Sequence, residues 1–189
     1  MALTEDRIRA CASDEELFKA LSEELHRRLP GGEDEDLGQF VDRLRRLPKG
    51  LRAMAAIYQL DVSLSLDDLG WHFANWHHRS YCDETLHGLR ELEAHEAAEI
   101  FSSAYALAQH YWDKIGELLA QDFDTFRGWY TGSELETALG PLNKRKWSLC
   151  APQYGLMAYW LSYARKYPEN LVSIHDKGRG QDSTAIRSR

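Results

Sequence analysis

Residues 69–78 concentrate the side chains of this 189-residue chain that are best suited to chemistry. Their sequence, LGWHFANWHH, holds three histidines, two tryptophans and a phenylalanine in ten residues. Imidazole nitrogens can bind a metal ion or transfer protons, and aromatic rings can enclose a small ligand. The segment must therefore be weighed as a metal centre, as a ligand pocket and as part of a hydrophobic core.

The spacing of the histidines argues against a metal site. A helical zinc site places two ligands about one turn apart, as in HExxH. Here His72 and His77 are five residues apart and His77 and His78 are adjacent, so no two imidazoles share a helix face. We predict that the rings pack in a core or a subunit interface. The alternative is a ligand pocket formed by Trp71, His72, Trp76, His77 and His78.

The sequence carries none of the common catalytic motifs. It has no nucleophile elbow, no phosphate-binding glycine loop and no CxxC pair, and its three cysteines are far apart. We therefore predict no catalytic residues, no metal ligands and no cofactor. A binding role is expected rather than an enzymatic one.

The composition is typical of a globular protein. Hydrophobic residues make up 43% of the chain and charged residues 28%. No apolar run approaches the roughly 20 residues of a membrane helix. The N-terminal residues lack the pattern of a signal peptide. We expect a cytoplasmic protein without a membrane segment.

Helical periodicity runs through most of the chain, and no segment alternates as a strand does. We predict an all-α protein, a single multi-helix globular domain of about seven to nine helices with a disordered C-terminal tail. Residues 1–46 are expected to form N-terminal helices that pack on the core, and residues 47–122 a helical core. Residues 123–174 are expected to add C-terminal helices of the same domain, and residues 175–189 to form the tail.

Local signals predict where the helices near the histidine segment begin and what they bury. A helix is expected from Pro48, with an inward apolar face made of Leu51, Met54, Ala55, Tyr58 and Val62. Ser65 followed by Asp68 is a capping signature, which predicts that the next helix carries the histidine segment.

Further signals predict the later helices. Asp83 is expected to cap a helix, and residues 94–119 to form one long helix after a break near Glu93. The pair Gly140-Pro141 is expected to close a short helix, and Pro152 to lie in the first turn of the last major helix.

Charge is unevenly distributed along the chain, whose formal net charge is −7. Residues 83–122 contain nine acidic residues and two basic ones, whereas residues 140–189 contain nine basic residues and three acidic ones. This polarity predicts either two solvated faces of opposite sign or an acidic helical surface that attracts a basic partner. The residues expected to bind such a partner are Glu91, Glu96, Glu99, Asp113 and Glu117.

One block of the sequence resembles a known family. The stretches LPKGLRAMAAIYQLDVSLSLDDLGWHFANW and YCDETLHGLRELEAHEAAEIFSSA fall within residues 47–112. They are similar to a bacterial all-helical family whose best-known member is a DNA-mimic protein and most of whose members have no assigned function. The matching motifs are Leu60-Asp61, Gly70-Trp71, Glu84-Thr85-Leu86 and Ala97-Ala98-Glu99-Ile100. The resemblance implies an all-helical fold, a dimer and a binding role.

Three functional hypotheses follow from the sequence. The first is a non-enzymatic interaction protein whose acidic helices bind a basic protein, such as a nucleic-acid-binding protein, as a regulator, inhibitor or DNA mimic; direct binding to nucleic acid is not expected. The second is an enzyme or ligand-binding protein that uses the aromatic and histidine residues at 69–78. The third is a structural homo-oligomer that associates through this aromatic surface or through residues 147–163.

Overall fold

The computed structural model describes residues 2–30, 36–150 and 153–172. Within these residues the chain forms helices and no strand, which confirms the predicted all-α class. They contain eleven α-helices, more than the expected seven to nine. The tail predicted to be disordered, residues 175–189, lies outside the described residues, as does Pro152.

Short connections join most of the helices, which vary from two to five turns in length. The α-helices are α1 (Glu5–Ala10), α2 (Asp14–Arg28), α3 (Leu37–Leu44), α4 (Lys49–Leu66), α5 (Leu69–Asn75), α6 (Arg79–Glu91), α7 (His95–Gln109), α8 (Trp112–Leu119), α9 (Phe123–Tyr130), α10 (Glu134–Cys150) and α11 (Ala158–Lys166). Two 3-10 helices, Gly155–Met157 and Pro168–Leu171, flank α11. In the described part of the chain, no helix combines the length and the apolar character needed to cross a membrane.

The central element is α4, which packs against α3, α5, α6, α10, α11 and both 3-10 helices. Small side chains make this possible, because Ala53, Ala55 and Ala56 are all buried on α4. The approach of α6 is especially close. A Cβ atom added at Gly88 would lie only 2.8 Å from the carbonyl oxygen of Ala53.

A buried carboxylate joins three helices at the same contact. Glu84 on α6 accepts hydrogen bonds from Arg52 on α4 and from Arg45 at the end of α3, each at 2.7 Å. The next residue, Thr85, donates a hydrogen bond to the carbonyl oxygen of Ala56 at 3.1 Å. A buried charge such as that of Glu84 persists only where it is paired, and two guanidinium groups pair it here.

A second carboxylate fixes the chain that leads into α11. Asp61 on α4 accepts a hydrogen bond from the backbone N–H of Leu156 at 2.5 Å. Burial raises the pKa of Asp61, although hydrogen bonds from the backbone at Leu156 and Met157 oppose this rise. Gly155 adopts a φ of +51°, and a Cβ atom there would lie 2.5 Å from Oδ1 of Asp61. Asp61 therefore holds the first 3-10 helix against α4.

The boundary between α4 and α5 differs from the prediction. Ser65 does not cap α5, because its hydroxyl donates back to the carbonyl oxygen of Asp61 at 2.9 Å within α4. The cap is Asp68, which accepts the backbone N–H of Trp71 at 3.0 Å.

The predicted inward face of α4 is correct for its first half only. Leu51, Met54 and Ala55 are buried, but Tyr58 is 44% exposed and Val62 is 36% exposed. Leu66, one turn after Val62 on the same face, is 74% exposed, so the second half of this face is not covered by the described helices.

Two of the later boundaries were also predicted wrongly. The long helix expected at 94–119 is divided, since α7 ends at Gln109 and α8 begins at Trp112. The preceding helix, α6, begins at Arg79 rather than near Asp83. The expected break near Glu93 is confirmed, because this residue has a φ of 60° between α6 and α7.

The C-terminal helices depart from the prediction as well. The helix α10 continues through Pro141, which the sequence placed at a helix end. Buried Leu139 and Lys146 anchor α10 on both sides of the proline, so the one missing backbone hydrogen bond does not end it. Tyr154 and Gly155 have left-handed backbones, and α11 therefore begins only at Ala158.

The close approach of α4 and α6 can be tested with two glycine substitutions. Gly88→Ala should lower the free energy of unfolding by roughly 1–3 kcal/mol, because the added methyl group contacts the backbone at Ala53. The matched control is Gly128→Ala on α9, where no atom lies within 4 Å of the added Cβ. This change should raise the free energy of unfolding by about 0.5–1 kcal/mol, since alanine favours a helix. Urea denaturation measures both, and equal effects would contradict the close contact.

Candidate functional site

The histidine segment lies on α5, in the middle of the fold. A Cβ atom at Gly70 would overlap the ring of Tyr130, so that α5 and α9 are in direct contact. The hydroxyl of Tyr130 donates to Oδ2 of Asp68 at 2.9 Å, which ties the capping residue of α5 to α9.

The first histidine of the segment is part of the core. His72 is fully buried, with Nδ1 3.0 Å from Oγ of Ser63 on α4 and its ring beside Phe73 and Phe101. Burial, reinforced by the positive charge of Lys146, lowers the pKa of His72 to about 3. The ring is therefore neutral at physiological pH and is closed to solvent.

The other four residues of the predicted pocket lie in different surroundings. Trp71 contacts an aromatic cluster on α9, whose members are Phe123, Phe126 and Tyr130. Trp76 contacts Tyr81, with ring centroids 5.5 Å apart. His77 stacks on Trp112 at 4.2 Å and places Nε2 2.9 Å from the Trp112 carbonyl oxygen. Burial lowers the pKa of His77.

The segment does not converge on one cavity. His78 is half-buried at the first turn of α6, away from the Ser63 side of α4 that His72 faces. Three surface depressions in the described part of the chain are lined by other residues. The contacts of these rings are those of helix packing.

The described residues offer no other constellation for metal or thiol chemistry. No three of their histidine, cysteine, aspartate or glutamate side chains lie together in a way that could hold a metal ion. Cys82 is buried on α6, and burial raises the pKa of its thiol, which disfavours the reactive thiolate.

The five predicted partner-binding acids occupy different positions. Glu91 is the most enclosed, with a side chain that is 12% exposed. It contacts Nζ of Lys49 at 2.9 Å and accepts a short hydrogen bond from the hydroxyl of Tyr163. Its carboxylate thus joins α4, α6 and α11 and is not free for a partner.

The acidic and basic segments pair with each other. Arg145 on α10 contacts Glu99 on α7 at 3.0 Å and Glu96 at 3.9 Å. Lys166 at the end of α11 contacts Glu93 at 2.8 Å. Each of these half-exposed pairs contributes little to stability. Together they place part of the acidic segment against part of the basic one, which the sequence shows as separate.

The last two predicted acids lie on α8 and face solvent. Asp113 is 95% exposed, and its one ion pair is with Arg79 at 3.5 Å. Glu117 is also exposed and has no ion pair among the described residues. The structure therefore brings Asp113 and Glu117 together, one helical turn apart, and separates them from Glu91.

The sequence analysis missed α9 and its capping residue. Asp122 accepts the backbone N–H of Thr125 at 2.6 Å, and this hydrogen bond holds the pKa of Asp122 low. An aspartate three residues before threonine was the available signal, of the same kind that identified other caps. Asp122 places a third ionised carboxylate directly after α8.

The buried state of His72 predicts a pH dependence of stability. The pKa of His72 is about 3 in the folded protein and near 6.5 when unfolded, so the unfolded chain binds the extra proton between these values. The contribution of His72 to the free energy of unfolding is therefore fully present above pH 6.5. It is lost as the pH falls from 6.5 towards 3, by about 1.4 kcal/mol per pH unit.

Replacement of the histidine should remove this loss. Unfolding free energies of the wild type and of His72→Gln, measured between pH 7 and pH 5, should diverge in slope. His110→Gln, at an exposed position, should keep the slope of the wild type. Parallel curves for all three proteins would contradict a buried neutral His72.

Comparison with known families extends the resemblance seen in the sequence. The family model described as DMP19-like protein matches residues 45–165, which span α4 to α10 and most of α11. No significant match was found among curated proteins. None was found among solved structures either. Because the family match covers more than half of the 189 residues, the chain belongs to the DMP19-like protein family.

Proposed function

We propose that this protein is a non-catalytic protein-binding module whose acidic surface on α8 binds a basic protein. The observation that carries the proposal is the pair Asp113 and Glu117, two exposed carboxylates one turn apart with little internal pairing. Asp122 lies just beyond the end of α8, where it caps α9, and it stays ionised because its pKa is low. We call these three residues the α8 acidic surface.

The spacing of these charges suits a basic partner. Carboxylates one turn apart have Cβ atoms about 5–6 Å apart, which is of the same order as the spacing of neighbouring phosphates on a nucleic-acid strand. The family's best-known member is a DNA-mimic protein, and we therefore propose a nucleic-acid-binding protein as the partner. Nucleic acid itself would be repelled by the same charges. The attraction acts over a Debye length of about 10 Å at 0.1 M salt and weakens as salt is added.

A charge-reversal experiment tests the proposed surface. Basic proteins retained from native lysate by the immobilised protein are eluted by steps of salt and identified by mass spectrometry. One of them is then purified and titrated by calorimetry. The double variant Asp113→Lys/Glu117→Lys should bind it at least roughly tenfold more weakly, because attraction is replaced by repulsion.

The control has the same change of charge elsewhere on the surface. Glu15→Lys/Asp42→Lys alters two exposed carboxylates on α2 and α3 and should change the affinity less than about twofold. Equal losses in both double variants would mean that net charge alone drives binding. Unchanged affinity in the α8 variant would exclude the α8 acidic surface.

A second candidate function is self-association through α4, because one face of this helix is apolar and uncovered. Tyr58, Val62 and Leu66 recur every four residues, and Leu66 is 74% exposed. Contiguous exposed apolar surface of this kind marks interaction sites. We propose that a second copy of the chain packs on this face.

Light scattering tests the homodimer. The wild type should have the mass of two chains at micromolar concentration, and Val62→Asp/Leu66→Asp should have the mass of one, because buried charges oppose the contact. Phe123→Asp changes another exposed apolar residue, on α9, and should remain dimeric. A monomeric wild type at all concentrations would refute this candidate.

A further inference from the structure

A basic side chain of α6 reaches the α8 acidic surface and pairs with it. Arg79 is the first residue of α6, and Nη2 of its guanidinium lies 3.5 Å from Oδ1 of Asp113. The same guanidinium lies over the indole ring of Trp112, with Cζ 5.1 Å from the ring centroid. Two successive residues of α8, one aromatic and one acidic, therefore contact a single cation.

This combination of contacts suits a guanidinium group better than an ammonium group. A guanidinium is planar and weakly hydrated, so it can lie on an aromatic face while its N–H groups point at a carboxylate. The ammonium group of lysine is compact and strongly hydrated, and it therefore loses more on leaving water. The contacts of Arg79 thus indicate which chemical group this position accepts.

The position of the guanidinium is open to solvent. The side chain of Arg79 is 51% exposed and that of Asp113 is 95% exposed. An ion pair between exposed side chains is weak, because water screens the attraction and both side chains lose freedom when they pair. The backbone of Arg79 belongs to the first turn of α6, so its side chain can turn away without any change in the helix.

The indole ring does not depend on Arg79 for its position. His77 stacks on Trp112 with ring centroids 4.2 Å apart, and Tyr105 packs nearly perpendicular to Trp112 at 5.6 Å. Burial lowers the pKa of His77, so this ring carries no charge that would repel a cation at neutral pH. Trp112 and Asp113 are therefore held on α8 whether or not Arg79 contacts them.

We propose that Trp112 and Asp113 form a guanidinium site, which Arg79 occupies in the free protein and an arginine of the basic partner occupies in the complex. This inference rests on the function proposed above for the α8 acidic surface, and it specifies the partner's chemistry as an arginine rather than a lysine at this position. Glu117 is exposed one turn further along α8 and can pair with a second basic side chain. Because Arg79 competes with the partner, the apparent affinity is reduced by the fraction of molecules in which the site is open.

Two peptides test the proposal by calorimetry on the full chain. They are hexa-arginine and hexa-lysine, which carry equal charge and differ in the cationic group. Arg79→Ala empties the site and should raise the affinity for hexa-arginine at least about fivefold, because the competitor is removed. The matched control is Lys114→Ala, which removes an exposed positive charge directly beside Asp113 and leaves Arg79 in place. It should raise the affinity for either peptide less than about twofold, and Arg79→Ala should gain no more than this with hexa-lysine.

Further variants locate the contact. In the Arg79→Ala protein, addition of hexa-arginine should shift the nuclear magnetic resonance signals of the Trp112 ring. Asp113→Asn in the same background should abolish the gain, whereas Asp124→Asn, which removes an exposed carboxylate on α9, should keep it. Arg79→Gln removes the same cation and repeats the test if Arg79→Ala fails to fold.

Two outcomes would overturn the guanidinium site. The first is an equal gain for hexa-arginine in Arg79→Ala and Lys114→Ala, and the second is an equal gain for the two peptides in Arg79→Ala. If Asp113→Lys/Glu117→Lys still weakens the basic protein from lysate, either result leaves the α8 acidic surface in place and removes only the arginine preference. Conversely, a selective gain for hexa-arginine together with unchanged lysate binding in that double variant would support the guanidinium site and exclude the proposed partner.

Discussion

The close packing of α6 on α4 is the contact on which the other helices depend. Gly88 lets the two backbones approach, and Glu84 then pairs with Arg45 and Arg52, so that α3 is fixed by the same contact. Once α4 is held in this way, its other faces position the remaining elements. Asp61 on α4 orders the entry to α11. Both the packed histidine segment, through the contact of His72 with Ser63, and the uncovered apolar face depend on the position of this one helix.

The motifs that carry the family resemblance are mostly structural. Asp61 holds a 3-10 helix, Gly70 admits the ring of Tyr130, and Glu84 with Thr85 joins α6 to α4. A buried charge or a glycine at a close contact tolerates little change, because its replacement leaves unpaired polar groups or a steric clash. The family match is therefore informative about the fold. The α8 acidic surface consists of residues outside these motifs, so the family match does not bear on the binding role proposed for it.

The helical class and the packed histidine segment could be predicted from the sequence because they depend on local patterns. Periodicity shows helices, and the five-residue gap between His72 and His77 disfavours a metal site. Features that depend on distant residues could not be predicted. The pairing of Arg145 with Glu99 joins oppositely charged segments that the sequence shows as separate surfaces. Likewise, Tyr58 has the spacing of a core residue but is 44% exposed, because burial depends on which distant helices pack on that face.

The two kinds of surface place different demands on the fold. A charged surface acts at long range and needs carboxylates that face solvent, as Asp113 and Glu117 do on the short helix α8. An apolar surface acts only at contact and needs side chains that the fold leaves uncovered, as Val62 and Leu66 are on α4.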